Sequence, residues 1–153
     1  MEKKITIGSV CFLMDKAEDK ILLLERNRQP MKAMFTGVGG KTHFEEDIKE
    51  SAIREIKEET GYLAHDIKLK GVVKTILQGK DSSWILFVYT CSDFSGEEIP
   101  CDEGELHWIE TKDIYKTNLI GFIREILPEI LLEDVFIERT LMHNSTGEII
   151  NNK

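Results

Sequence analysis

Residues 37–62 read GVGGKTHFEEDIKESAIREIKEETGY, and the folding of this stretch decides how the rest of the chain is read. Gly37, Gly39 and Gly40 let the backbone turn sharply and approach a ligand without a side chain in the way. A helical pattern begins near Glu46, and Gly61 stands where a C-cap glycine ends such a helix. Projected at about 100° per residue, Ile48, Ala52, Ile53 and Ile56 gather on the side that enters a core. Measured from Ile48, Glu55 falls at about −20°, Glu58 at about −80° and Glu59 at about +20°. Glu59 therefore lies inside the arc that ought to be apolar.

A carboxylate at a core interface carries a large desolvation cost unless it is neutralised, paired or bound to a cation. These three also sit in the last turns of the helix, where the macrodipole disfavours negative charge by about 0.3–1 kcal/mol each. One reading is a solvated acidic face, with Arg54 and Glu58 as an i,i+4 pair. The other is three carboxylates converging on a hard, oxygen-seeking cation such as Mg²⁺, which removes the repulsion and accounts for the placement.

Outward from this helix, Ile5–Met14 and Ile21–Glu25 read as two strands joined by a polar turn, and residues 27–34 as a loop. Ile67–Leu77 and Ser83–Cys91 read as further strands, residues 92–104 as polar and irregular, and Leu106–Ile109 as a short apolar piece. Apolar residues recur at helical spacing from Asn118 to Leu132, with Pro128 expected to kink or restart that helix. Val135–Leu141 reads as a last strand and the polar NSTGEIINNK end as a turn and a frayed terminus. Strands before, between and after two helices predict an α+β sandwich in which a mixed sheet is covered on both faces.

The 153 residues suit one domain, and a 41% hydrophobic, 31% charged composition is that of an ordinary globular protein. The start, MEKKITIGSVCFLMD, is read as a first strand and not a secretory signal: its apolar stretch is interrupted and lacks a small-residue cleavage site. No apolar run reaches the roughly 18 residues needed to span a membrane. Twenty basic against 28 acidic residues give a net charge of −8, which opposes binding to nucleic acid or to anionic lipid. Cys11, Cys91 and Cys101 show no metal or redox spacing, and a reducing cytoplasm is the expected compartment. The four histidines show no mutual spacing for a metal, and solvent-facing rings are the expectation.

From Gly40, five residues precede Glu46, seven more precede Arg54, and Arg54-Glu55-Ile56-Lys57-Glu58-Glu59-Thr60-Gly61 follows without a gap. The run matches G-x5-E-x7-R-E-U-x-E-E-x-G-U, with U aliphatic, over residues 40–62, the last position being Tyr62. Seven fixed residues match by accident on the order of once in 10⁹ windows. The chain thus resembles the Nudix hydrolase family, and its glycine loop and EGEL-x-W segment at 103–108 resemble the MutT-like branch. The resemblance implies a single Nudix domain over residues 1–153, an α/β/α sandwich with a mixed β-sheet between helices, and hydrolysis of a nucleoside diphosphate linked to a further group. It implies Mg²⁺, with Mn²⁺ as a substitute, held by Glu55, Glu58, Glu59, Glu103 and the Gly39 carbonyl. Glu55 and Glu103 would be catalytic, Arg54 would position Glu55, and Gly40, Glu46 and Gly61 would support the site.

Substrate contacts implied by the same resemblance are Arg26, Lys41, Phe35, Thr36 and Asn118, with Trp84 and Trp108 as further base-pocket candidates. Arg26 and Lys41 are otherwise solvated cations, Glu103 an acidic loop residue, and the aromatics core. The model reaction is 8-oxo-dGTP plus water giving the monophosphate and pyrophosphate, by a monomer or homodimer. Another nucleotide substrate, or a non-catalytic nucleotide sensor, is the alternative.

Overall fold

Alternate residues of the first strand go to opposite sides, and the whole architecture follows from that alternation. In the computed structural model, which describes residues 2–152, β1 (Lys4–Asp15) sends Val10 and Phe12 to one hydrophobic cluster and Cys11 and Leu13 to the other. The next strand, β2 (Lys20–Arg26), divides in the same way: Ile21 and Leu23 to the first cluster, Leu22 and Leu24 to the second. Two helices close the two clusters. α1 (Ile48–Thr60) brings Ala52 and Ile56 onto the second, and α2 (Gly121–Ile130) brings Ile123, Ile126, Leu127 and Ile130 onto the first. Each of the fully buried isoleucine and leucine side chains among them is worth about 1.5–3 kcal/mol.

The remaining strands are β3 (Phe35–Thr36), β4 (Leu63–Leu77), β5 (Ser82–Ser95), β6 (Gly104–Glu110), β7 (Ile137–His143) and β8 (Ile149–Asn152). They run in the order β3-β2-β1-β5-β4-β7-β8, with β6 paired along β2. β1 is parallel to β5 and β4 to β7, and the other pairs are antiparallel. This is the mixed sheet between helices that the element pattern predicts. No helix among the described residues is long and apolar enough to cross a membrane.

Helix α1 starts at Ile48, two residues later than the apolar pattern indicates, because Asp47 is its cap: the carboxylate accepts the Glu50 N–H at 3.1 Å. Gly61, at φ 85°, ends it as expected, donating its N–H to the Lys57 carbonyl at 2.9 Å. The buried stripe comprises Ser51, Ala52, Ile56, Glu59 and Thr60, with Ile48 and Ile53 only partly covered. It is therefore centred near Ala52, with Glu59 well inside it, about 20° away.

Three expectations are corrected. The helix placed at Asn118–Leu132 is shorter: residues 111–116 form a 3₁₀ turn, and Leu119 bridges to Phe35. α2 then runs through Pro128 to Ile130, so the proline removes a donor only in the last turns. Residues 92–95, expected to be irregular, extend β5 by pairing with the start of β4. The frayed terminus instead forms β8, antiparallel to β7, after a turn in which the Asn144 side chain accepts from the Thr146 and Glu148 N–H groups at 3.0 Å each.

Candidate active site

The glycine loop is laid along the edge of β1. Ser9 N–H donates to the Gly40 carbonyl at 2.9 Å, Val38 N–H to the Cys11 carbonyl at 3.0 Å and Thr42 N–H to the Ile7 carbonyl at 2.9 Å. Gly39 holds φ 150°, and a Cβ there would stand 2.1 Å from the Ser9 carbonyl oxygen. A Cβ on Gly40 would stand 2.8 Å from the Glu55 carboxyl carbon, so the bare backbone is what admits that carboxylate.

Arg54 organises the outer half of the site. Its Nε and Nη2 donate to the two oxygens of Glu46 at 2.7 and 3.0 Å, a bidentate pair. Nη1 reaches Glu55 at 3.0 Å and Glu58 at 3.1 Å, and Nη2 also reaches the Lys41 carbonyl at 3.1 Å. The Arg54 hydrogen bonds hold the Glu46 carboxyl down at about 2, helped by the His43 N–H. Its partnership with Glu46 pushes the guanidinium further above its ordinary value.

The inner half is different. Glu59 is only 6% exposed, and its Oε2 accepts the Gly39 N–H at 2.8 Å. Burial raises its carboxyl well above the usual range, and the Glu103 carboxylate, which meets it from the loop before β6, raises it further. Glu55 is raised too, first by burial, with Arg54 acting against the shift and Glu58 and Glu103 adding to it. Glu58 is largely exposed, its side chain 58% accessible, and its contact is to Arg54.

A cavity of about 380 Å³ opens beside these groups, with Gly39, Gly40, Glu59, Glu103 and Arg26 at one end and Trp84, Phe122, Leu86 and His143 among its other walls. Thr36 and Arg26 thus face it, and the Arg26 Nε donates to the Pro30 carbonyl at 2.9 Å. Phe35, Lys41 and Asn118 fall outside its lining. Phe35 packs against His107 at 5.5 Å between ring centroids, Asn118 uses its carbonyl to accept the Phe35 N–H at 2.8 Å, and the Lys41 side chain is exposed. Trp108 is placed elsewhere, stacked on Phe94 and donating to Glu98 at 3.0 Å. A larger cavity of about 510 Å³, lined by residues of both signs including Lys68, Lys70, Asp66 and Asp93, contains none of the glycine-loop or carboxylate residues.

The model of the NUDIX domain matches residues 4–130. The chain belongs to the Nudix hydrolase family. It is 33% identical over 140 residues to the Nudix hydrolase YvcI of Bacillus subtilis (strain 168), covering 89% of this chain and 87% of that one. Over 80 residues it is 34% identical to an ADP-ribose pyrophosphatase of Methanocaldococcus jannaschii, covering 52% of this chain and 47% of that one. The structure is also similar to that of a MutT protein of Bacillus halodurans, with a TM-score of 0.86 and 26% identity over 97% of this chain and 96% of that one.

Nudix hydrolases generally use divalent metals, and the residues present suit such an ion. The donors at the inner end are all oxygens, the ligand type of hard cations. Two carboxylates in contact require either a proton or a cation between them. Ser9, 4% exposed and lining the cavity beside Gly39, has a buried Oγ with no hydrogen-bond partner among the described residues. Glu55, Glu59, Glu103 and the Gly39 carbonyl are the groups that can hold the ion, with Glu58 at the rim.

Two features escaped the sequence reading. Glu25, Glu105 and His107 bring ligand atoms within 4.8 Å of one another across β2 and β6, so His107 is not a lone solvent-facing ring. His107 Nε2 lies at hydrogen-bond distance from Glu25, 3.0 Å, and 3.6 Å from Glu105. His143 is also not simply solvent-facing, since it lines the cavity. Cross-strand register alone could have found the first, and no local signal marks the second.

Proposed function

We infer that this chain is a Mg²⁺-dependent nucleoside triphosphate pyrophosphohydrolase, with Mn²⁺ as a substitute, acting on 8-oxo-dGTP or a related oxidised purine nucleotide. The observation that carries the reading is one cavity with two chemistries: buried, mutually repelling carboxylates beside walls that carry the aromatic side chains Trp84 and Phe122. The first suits a diphosphate linkage, the second a planar base.

When bound, the divalent ion supplies charge neutralisation and Lewis acidity for the pyrophosphate oxygens. The chain's own residues do the rest. The Gly39 N–H fixes one oxygen of Glu59, and Glu103 closes on the other side. Arg54 holds Glu55 over Gly40, where a carboxylate of raised proton affinity takes the proton of the attacking water. Glu46, both oxygens occupied by Arg54, keeps that arginine in place. Arg26 and Thr36 face the nucleotide from β2 and β3, whereas Lys41, Phe35 and Asn118 do not line the cavity. One catalytic domain in a reducing cytoplasm, where nucleotides and free thiols coexist, completes the reading.

The test is a panel of oxidised and normal nucleoside triphosphates, nucleotide sugars and dinucleotide polyphosphates, with Mg²⁺ present and products resolved. An oxidised purine triphosphate as preferred substrate, with release of pyrophosphate, is the expected result. Release of orthophosphate as first product contradicts the cleavage position. A preference for ADP-ribose, the substrate in the name of the archaeal relative, replaces the triphosphate with a nucleotide sugar on the same centre.

A further inference from the structure

The cavity is lined by a polar group whose hydrogen-bonding sense is fixed. Trp84 of β5 lies against Gly8 of β1: a Cβ on Gly8 would stand 2.8 Å from the indole Cζ3 and 2.7 Å from the Gly40 carbonyl oxygen. The indole and the glycine loop therefore close on the same spot. Trp84 is paired with Thr75 of β4, and on the next row Leu77 of β4 is paired with His143 of β7. β4 lies between β5 and β7, so two strand spacings, roughly 10 Å of backbone, separate the strands that carry Trp84 and His143, and both side chains line the cavity.

Thr36, Thr75, Ser82 and Ser83 line the same compartment. A hydroxyl rotates to donate or to accept, so none of them can tell a bare ring nitrogen from a protonated one. His143 can. Its Nδ1 lies 3.1 Å from the Asn144 carbonyl oxygen, which only accepts. Nδ1 therefore carries the proton of the neutral ring, and Nε2 is left as the acceptor of a ring that lines the cavity.

We propose that His143 reads the oxidation state of the purine through Nε2, an inference that rests on the oxidised-purine reading above. Guanine presents N7 as an acceptor. Oxidation at C8 to the keto form places a proton on N7 and makes it a donor. Nε2 accepts that N7–H from the oxidised base, whereas with the unoxidised base two lone pairs face each other. A site built to pair one hydrogen rejects the analogue that lacks it.

Calorimetric binding of the monophosphates 8-oxo-dGMP and dGMP to the full chain tests this without turnover. The wild-type chain binds the oxidised nucleotide about tenfold or more tightly than dGMP. His143→Phe keeps a ring but has no acceptor, and narrows the ratio to about threefold or less; His143→Gln, whose amide can turn either its oxygen or its NH₂ towards N7, narrows it as well. In turnover of 8-oxo-dGTP the His143→Phe loss falls on KM more than on kcat. Nitrogen-15 NMR of the wild-type chain shows the Nδ1–H tautomer. An unchanged ratio in His143→Phe, or an Nε2–H tautomer, overturns the proposal. A wild-type chain that releases pyrophosphate from triphosphates but binds both monophosphates alike overturns His143 as the reader and leaves the carboxylate centre standing. Retained, His143-dependent binding preference without triphosphate hydrolysis overturns the catalytic reading alone.

Discussion

Glu46 and Glu59 belong to one motif and are chemically identical, yet their surroundings push them in opposite directions. Glu46 meets a guanidinium with both oxygens and is held at about 2. Glu59 meets one backbone N–H and another carboxylate in a buried place, and is raised. The outer end of α1 is thus complete as it stands, while the inner end is complete only with a proton or a cation. Repulsion left standing inside a core marks where a positively charged partner belongs.

The contrast is broken most severely at the inner end. Glu59→Gln, a neutral shape-mimic, lowers kcat/KM by about 10³-fold or more while leaving the melting temperature of the metal-free chain unchanged or higher. An intact rate would remove Glu59 from the centre. Arg54→Lys sharpens the comparison from the other side: loss of the bidentate fork lowers activity by about 10²-fold and, unlike Glu59→Gln, destabilises the fold, by about 1–3 kcal/mol in denaturant titrations. Glu46→Gln keeps the shape and part of the hydrogen bonding, and costs about tenfold in kcat/KM.

The smallest effect is on pH dependence, read from melts of the metal-free chain. The folded state holds the Glu59 proton above the ordinary carboxylate value of 4.5, so the stability it contributes is fully present below that value and declines as pH rises. Glu46 has the opposite sign: its contribution is present above 4.5 and is lost as pH falls towards about 2. From about pH 5 to 8 the wild-type melting temperature should therefore fall relative to Glu59→Gln, and Mg²⁺ should abolish the difference. Parallel curves without metal would show that Glu59 is not strained.

Much of this was legible before any coordinates. The wheel places Glu59 within the apolar arc, and the structure buries it inside the stripe that α1 turns inward. Both clusters follow from the alternation in β1 and β2 and from the apolar spacing of α2. Glu103 was reachable only by resemblance, since its meeting with Glu59 depends on how β6 returns along β2. The β8 strand was hidden because Ile149–Asn152 is short and half polar and draws its order from pairing with β7. His143 was hidden because its significance is set by a neighbouring carbonyl and a cavity wall, neither of which leaves a periodicity in the sequence.

The most direct measurement is calorimetric titration of Mg²⁺ or Mn²⁺ into the metal-free chain, in two buffers of different ionisation heat, for the wild type, Glu59→Gln and Glu46→Gln. The account predicts uptake with proton release by the wild type, binding weakened at least about tenfold with less proton release in Glu59→Gln, and near wild-type uptake in Glu46→Gln. Equal affinity and equal proton release in the wild type and Glu59→Gln would contradict it.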